Sequence, residues 1–177
     1  MSIAARSRLR PVESGSTLVE VLVATLVFTT GLIAMAELIA IATSSNARAR
    51  RSTLAAILAA RKLEELRSLA WELDLNGAPA GDPSLRPSPG ALHRNTPGFV
   101  DHVDQAGAIV GRDVEPPPGA AYTRRWSIEP LAGSPEDALL IQVLVTQAGR
   151  RGVPDGEAVG YFPGDARLVT MKVRKAR

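Results

Sequence analysis

The sequence predicts an α+β fold in which a long N-terminal helix packs on a small antiparallel sheet. The helix is indicated by an apolar run, Leu18–Thr43, after which no proline or glycine occurs until residue 77. The sheet is indicated by three segments late in the chain that have the composition or the alternation of β-strands. A helix packed on one face of an antiparallel sheet buries the apolar sides of both elements.

Composition narrows the classes of protein that the chain can belong to. Its 177 residues are enough for one domain with a modest core, and 45% of them are apolar. The absence of cysteine excludes disulfides and cysteine-based metal or thiol chemistry. The net charge is +3, and the first 15 residues carry +2 of it. The rest is nearly neutral, so charge gives little reason to expect nucleic acid binding, and DNA is an unlikely partner.

The first half of the predicted helix has the length of a membrane span. Its uncharged core, Val21–Ala36, is 16 residues long, and the apolar run reaches spanning length only when Glu20 and Glu37 are included. We predict residues 16–43 as the transmembrane half. The two glutamates are 17 residues apart and fall on different helix faces.

The second half of the predicted helix, residues 44–75, is amphipathic. We predict one helix from about Thr17 to Trp71, with an i,i+4 ion pair between Arg61 and Glu65. Strong helix formers fill this half, and small or apolar residues recur every three or four positions on one face. This stripe consists of Ala55, Ala59, Leu63, Leu66 and Ala70.

Residues 76–119 form a variable connection rich in proline and glycine, and residues 120–177 form a predicted β-sheet head. Only short strands are expected in the connection, at Gly98–His102 and Ala108–Val110. The head contains three strand candidates, Ala121–Glu129, Ala138–Thr146 and Arg167–Lys175.

Each strand candidate makes a prediction about which side chains are buried. Trp126 and Ile128 share one face of the first candidate, and the second is apolar throughout, as expected for a central strand. In the third, Val169, Met171 and Val173 alternate with polar residues. We expect these apolar faces to pack on the helix.

The N-terminal residues resemble the processing site of type IV pilins and type II secretion pseudopilins. The carrying residues are GSTLVEV at positions 15–21, preceded by a short basic leader. The resemblance implies that prepilin peptidase cuts after Gly15, so that residues 1–15 are the leader. It also implies N-methylation of Ser16, although the family usually has phenylalanine there. Glu20 would then be the glutamate at the fifth position of the mature chain.

Beyond the processing site, the resemblance covers about Arg10 to Trp71 and is strongest to PilV-type minor pilins. It implies the pilin fold, insertion in the inner membrane with the head in the periplasm, and later incorporation into an extracellular or periplasmic filament. The implied partners are the peptidase/methyltransferase, other pilin or pseudopilin subunits, and the assembly platform and motor. In the family, a neighbour's N-terminal amine can pair with the carboxylate that Glu20 represents. The alternative for Glu20 alone is a favourable interaction with its own helix dipole.

The residues indicate no catalytic, cofactor or metal site. Common catalytic and nucleotide-binding motifs are absent, and His93 and His102 fall in the loop-rich region, where we expect them to be solvated. The acidic residues Asp101, Asp104, Asp113 and Glu115 offer oxygen ligands for calcium, but their spacing is not that of an EF-hand, and we interpret them as a soluble acidic loop. Basic residues at 124–125, 150–151 and in the last strand are interpreted as protection of sheet edges rather than a DNA-binding face.

The sequence therefore predicts a non-enzymatic structural subunit, and a minor pilin of a type IV pilus is the first hypothesis. A type II secretion pseudopilin is the alternative within the same family. An envelope enzyme or binding module with a permanent single-span anchor is the alternative from another class.

Overall fold

The computed structural model describes residues 17–73, 79–149 and 164–174. It confirms the α+β fold, with one long helix, α1 (Leu18–Ser68), and a small antiparallel sheet packed on the second half of that helix. The predicted leader and cleavage position lie outside the described residues. Contacts divide the chain into two compact units, Met1–Ser45 and Asn46–Arg177, so the division falls within α1.

In the first unit, every described side chain is exposed. These residues form the apolar beginning of α1, and even large side chains such as Leu18 and Phe28 are 81% and 65% exposed. The helix is long and apolar enough to cross a membrane. Exposure of so many large apolar groups to water would be unfavourable by about 1.5–3 kcal/mol for each one, which agrees with a lipid environment.

The second unit contains two antiparallel sheets. The first pairs two short strands, β1 and β2, and the second has five strands in the order β4-β3-β5-β6-β7. The strands of these sheets are β1 (Trp71–Leu73), β2 (Pro79–Gly81), β3 (Val100–Val103), β4 (Ile109–Gly111), β5 (Tyr122–Pro130), β6 (Ala138–Gln147) and β7 (Ala166–Val173). The three predicted head strands correspond to β5, β6 and β7, and β6 lies between the other two as expected.

The core lies between α1 and one face of the five-stranded sheet. The predicted helix stripe is confirmed except at Ala70, which follows the end of α1 and is exposed. Ile128 is fully buried and Trp126 packs against the same core, as predicted for β5. The other principal core residues are Ala55, Leu58, Ala59, Leu63, Leu66, Val103, Ile141, Val143 and Val145.

α1 ends at Ser68, three residues before the predicted end at Trp71, because Lys172 of β7 caps the carbonyl groups at its C-terminus. Lys172, in β7, places its Nζ atom 2.6 Å from the carbonyl oxygen of Arg67 and 2.7 Å from that of Leu69. The ammonium group therefore donates to carbonyls that a helix end leaves without intrahelical partners. Trp71 then begins β1 instead of continuing the helix.

The expectation for the apolar face of β7 was wrong. Val169, Met171 and Val173 are 53–58% exposed, whereas Leu168 and Lys172 lie on the side of the sheet that meets α1. Strand alternation defines two faces but does not say which one meets the helix. The face of β7 that meets α1 is set by the register with β6, in which Leu168 lies opposite the buried Val143.

The predicted ion pair between Arg61 and Glu65 is replaced by two others. Lys62 Nζ lies 2.7 Å from Glu65 Oε1, and Arg67 pairs with Glu64 at the same distance. Lys62 is only 7% exposed, and its Nζ lies 4.1 Å from the centroid of the Trp126 ring. A cation–π contact with the sheet thus takes Lys62 away from solvent, whereas Arg61 stays exposed.

Candidate functional site

The candidate site begins at the start of α1, where Glu20 occupies the first turn. The backbone N–H of Glu20 donates to the Thr17 carbonyl oxygen at 3.0 Å and also lies 3.3 Å from Thr17 Oγ1. Thr17 and Glu20 have the spacing of a capping box, in which the glutamate side chain would reach back to the N-cap backbone. The hydrogen bond from the Thr17 backbone to the glutamate side chain is not formed. The Glu20 carboxylate is exposed and has no hydrogen-bond or ionic partner among the described residues.

Unlike Glu20, the hydroxyl groups in the apolar half of α1 have hydrogen-bond partners within the helix. Each one between residues 25 and 44 donates to a backbone carbonyl three or four residues earlier, at 2.8–3.1 Å. Such bonds satisfy a hydroxyl within its own helix and make it tolerable in lipid. The residues concerned are Thr25, Thr29, Thr30, Thr43 and Ser44.

Between Leu18 and Ser44, the side-chain polar groups without a described partner are therefore two carboxylates, those of Glu20 and Glu37. At 3.6 residues per turn, Glu37 lies about 100° around the helix from Glu20, so the two do not form one site. An unpaired carboxylate in a membrane is costly and is usually neutralised or paired. Because α1 supplies no partner for Glu20, any partner must come from outside the described chain.

Gly31 lies within the continuous helix and does not interrupt it. A Cβ atom added at this position would meet no other atom within 4 Å. A glycine within a helix weakens it locally and also allows the backbone of a neighbouring helix to approach closely.

No family model, curated protein or solved structure matches the chain.

The two arginines of β5 are buried in a central strand, so the interpretation of Arg124 and Arg125 as residues that protect a sheet edge was wrong. Arg150 and Arg151 lie outside the described residues. Arg124 is 3% exposed and forms a two-point ion pair with Asp101 of β3, at 2.8 and 2.7 Å. Its Nη1 atom also lies 3.4 Å from the carbonyl oxygen of Leu58 in α1. This buried pair links the helix to two strands, and β5 is a central strand rather than an edge.

Arg125 points to the opposite face of the sheet, where it holds the connection against β6. It donates to Asn95 Oδ1 at 2.6 Å and to Thr146 Oγ1 at 2.8 Å. Burial lowers the pKa of the Arg125 guanidinium, and the nearby Asp165 carboxylate opposes that shift. Arginine stays protonated in proteins, so the group acts as a fixed cation.

The expectation that His102 is solvated was also wrong, because the side chain is fully buried in β3. Its Nε2 atom donates to the carbonyl oxygen of Asp113 at 2.9 Å, and its Nδ1 lies 3.1 Å from Thr123 Oγ1. Both ring nitrogens are engaged in holding a loop to the sheet. His93 is partly exposed.

The acidic residues considered for calcium are dispersed among structural contacts. Asp101 pairs with Arg124, and Asp104 Oδ1 accepts from the backbone N–H groups of Ala106 and Ala108 at 2.9 Å. Within the described ranges, no three His, Asp or Glu side chains are grouped so that they could hold a metal ion.

Elsewhere in the connection, Asp82 caps a short 3₁₀ helix, Pro83–Leu85. Its Oδ1 atom accepts from the Ser84 backbone N–H at 2.8 Å. That hydrogen bond holds the pKa of the Asp82 carboxyl below its usual value. Asp82 is therefore a capping residue of the connection.

Sequence reasoning missed the buried polar contacts of the head. One signal was present: Asp101 and Arg124 both lie within predicted strands, and an opposite charge in each of two strands favours a cross-strand pair. The pairing of the two strands, which decides the contact, is a long-range feature that the sequence pattern did not give.

Proposed function

We propose that the chain is a structural subunit of a type IV pilus, a minor pilin that is anchored in the inner membrane before it is assembled through its N-terminal helix. The observation that carries the proposal is the isolated carboxylate of Glu20 in an exposed apolar helix. Its own helix satisfies every hydroxyl between residues 25 and 44 but leaves this acid without a partner.

An N-terminal amine of a neighbouring subunit would supply the missing partner. Removal of residues 1–15 after Gly15 would create that amine at Ser16, five positions from the glutamate when both are counted. A charge that is unfavourable alone in lipid then favours docking of one subunit beside another. Processing and assembly are linked in this way through one ion pair.

The arrangement of the head supports a structural role. The polar side chains of the second unit described above are used in internal contacts: Arg124 in an ion pair, and His102 in hydrogen bonds between elements. The second half of α1 forms the spine of the sheet domain, and the first half is free to pack on other helices. A filament subunit requires both features in one continuous helix.

The first test is the mass of the protein extracted from membranes. A mature chain that begins at Ser16, with or without one added methyl group, is the expected result. An anchored enzyme or binding module with an ordinary single span would retain residues 1–15. Retention of those residues in all of the protein would overturn the proposal.

The second test replaces Glu20 with alanine and measures incorporation into sheared filaments. A hydrogen-bonded charge contributes about 1.5–3 kcal/mol, so we expect at least about a ten-fold loss of incorporation with leader removal unchanged. Glu37→Ala is the matched control, because it removes the same group from another face of the same helix, and we expect a smaller effect. Normal incorporation of Glu20→Ala would contradict the pairing argument.

The same tests apply to a pseudopilin, the alternative within the family. Immunodetection of the protein in surface pili separates the two, because a pseudopilin is expected to stay in a short periplasmic filament.

A further inference from the structure

The second unit contains a basic cleft close in sequence to the apolar half of α1. Arg50 and Arg51 line an open cleft of about 550 Å³, which lies wholly within the second unit. The remaining lining comes from α1, from the loops at the ends of β3 and β6, and from the start of β5. These residues are Ala47, Leu54, Gln105, Ala121, Tyr122, Gln147 and Ala148.

The cleft has the charge of an anion site. Among the described residues, no aspartate or glutamate lines it, and both arginines are exposed without an ion pair. The lining also includes Tyr122, the first residue of β5, which is 5% exposed. Two guanidinium groups beside amide and aromatic side chains favour a phosphate-bearing ligand.

The position of the cleft along the helix identifies the source of the phosphate. Arg50 and Arg51 follow Thr43, the end of the predicted span, by seven and eight residues of the same helix, about 10–12 Å at 1.5 Å per residue. The headgroup region begins where the hydrocarbon core ends, and long arginine side chains extend toward it. A lipid phosphate is therefore the nearest abundant anion when the helix is inserted.

We propose that this cleft binds the headgroup of an anionic phospholipid in the outer leaflet of the membrane, and so holds the head at the bilayer before assembly. The inference rests on the membrane insertion that the proposed function requires, but not on processing or filament formation. Transfer of the subunit into a filament would require release of this lipid.

The test uses the full chain extracted in mild detergent and native mass spectrometry with added phosphatidylglycerol or phosphatidylcholine. We expect preferential binding of phosphatidylglycerol by the wild type. Arg50→Ala/Arg51→Ala should lose roughly 30-fold in affinity, the fold-change that corresponds to about 1 kcal/mol for each basic residue near a membrane surface. Arg50→Lys/Arg51→Lys, which keeps the charge, should retain most of the binding.

Arg61→Ala/Arg67→Ala is the matched control, because it removes the same charge from exposed positions further along α1 and should leave lipid binding unchanged. Equal binding of the two lipids, or equal loss in the control, would overturn the proposal. Displacement of phosphatidylglycerol by inorganic phosphate at similar concentration would also overturn it, because the site would then recognise free phosphate. The proposed function fails instead if the leader is retained, whatever the lipid result.

Discussion

At the scale of single residues, two carboxylates of the molecule differ in exposure and in pairing. Glu20 is exposed on an apolar helix with no described partner, whereas Asp101 is 2% exposed and held by two hydrogen bonds from Arg124. A buried pair gains little over an apolar pair of similar volume, but loss of one partner leaves an uncompensated charge. The Glu20 carboxylate is therefore free to pair with another molecule, whereas the Asp101 carboxylate stabilises the fold.

We predict that Asp101→Asn lowers the free energy of unfolding by about 3–5 kcal/mol, because Arg124 stays buried without a counterion. Glu64→Gln makes the same chemical change in the exposed pair with Arg67 and should cost less than about 1 kcal/mol. Urea denaturation followed by circular dichroism measures both. Equal losses in the two variants would contradict the assignment of a buried, fixed pair.

At the scale of elements, the junction of α1 and β7 determines where the helix ends. Lys172 supplies donors to the carbonyl group of Arg67 in the last turn and to that of Leu69 just after it, and no glycine ends the helix there. Immediately after β7, Arg174 places its guanidinium 4.6 Å from the centroid of the Trp71 ring in β1. β7 and the residue after it thus hold both the end of the helix and the strand that follows it.

We predict that Lys172→Met raises the hydrogen-exchange rate of amides in the last turn of α1 and lowers stability by about 1–3 kcal/mol. Methionine keeps most of the apolar stem but removes the charged donor, so the carbonyl groups lose a partner. Arg61→Met is the control, since Arg61 is exposed on the same helix. Unchanged exchange in the last turn would show that Lys172 does not close the helix.

The elements also show how far the sequence predicted the structure. The helix stripe and the strands β5, β6 and β7 were predictable because their local apolar patterns are strong. The direction of the apolar face of β7 was not, because β6 is apolar on both faces and accepts either orientation. Burial of His102 and Arg124 depends on cross-strand partners, which a single sequence does not specify. For the candidate site, Glu20 was found from its position alone, but its lack of an intrahelical partner required the structure.

At the scale of the whole molecule, the two units differ in how much apolar surface they bury. The described part of the first unit has no buried side chain, whereas the second unit contains the entire described core. The second unit therefore has what a domain needs to fold in water, and the first needs lipid or other helices.

We predict that residues 46–177 alone form a soluble domain that unfolds cooperatively on heating. All buried contacts of the described core lie within these residues, so removal of residues 1–45 takes away none of them. Circular dichroism and size-exclusion chromatography measure the outcome. The same fragment with Ile128→Ala should lose about 2–5 kcal/mol through the cavity left behind. Aggregation of the unsubstituted fragment, or a melt without a cooperative transition, would refute the independence of this unit.

The bond between Lys172 and Arg67 has a consequence for biosynthesis. The two residues are 105 positions apart, and the donor lies in the final strand. Because a ribosome makes the chain from its N-terminus, the carbonyl groups at the end of α1 stay uncovered until β7 has been synthesised. The apolar start of α1 is therefore complete long before β7, and the second unit gains its full set of contacts only after β7 has been made. Chains truncated before β7 should therefore contain a complete α1 but stay vulnerable to proteases.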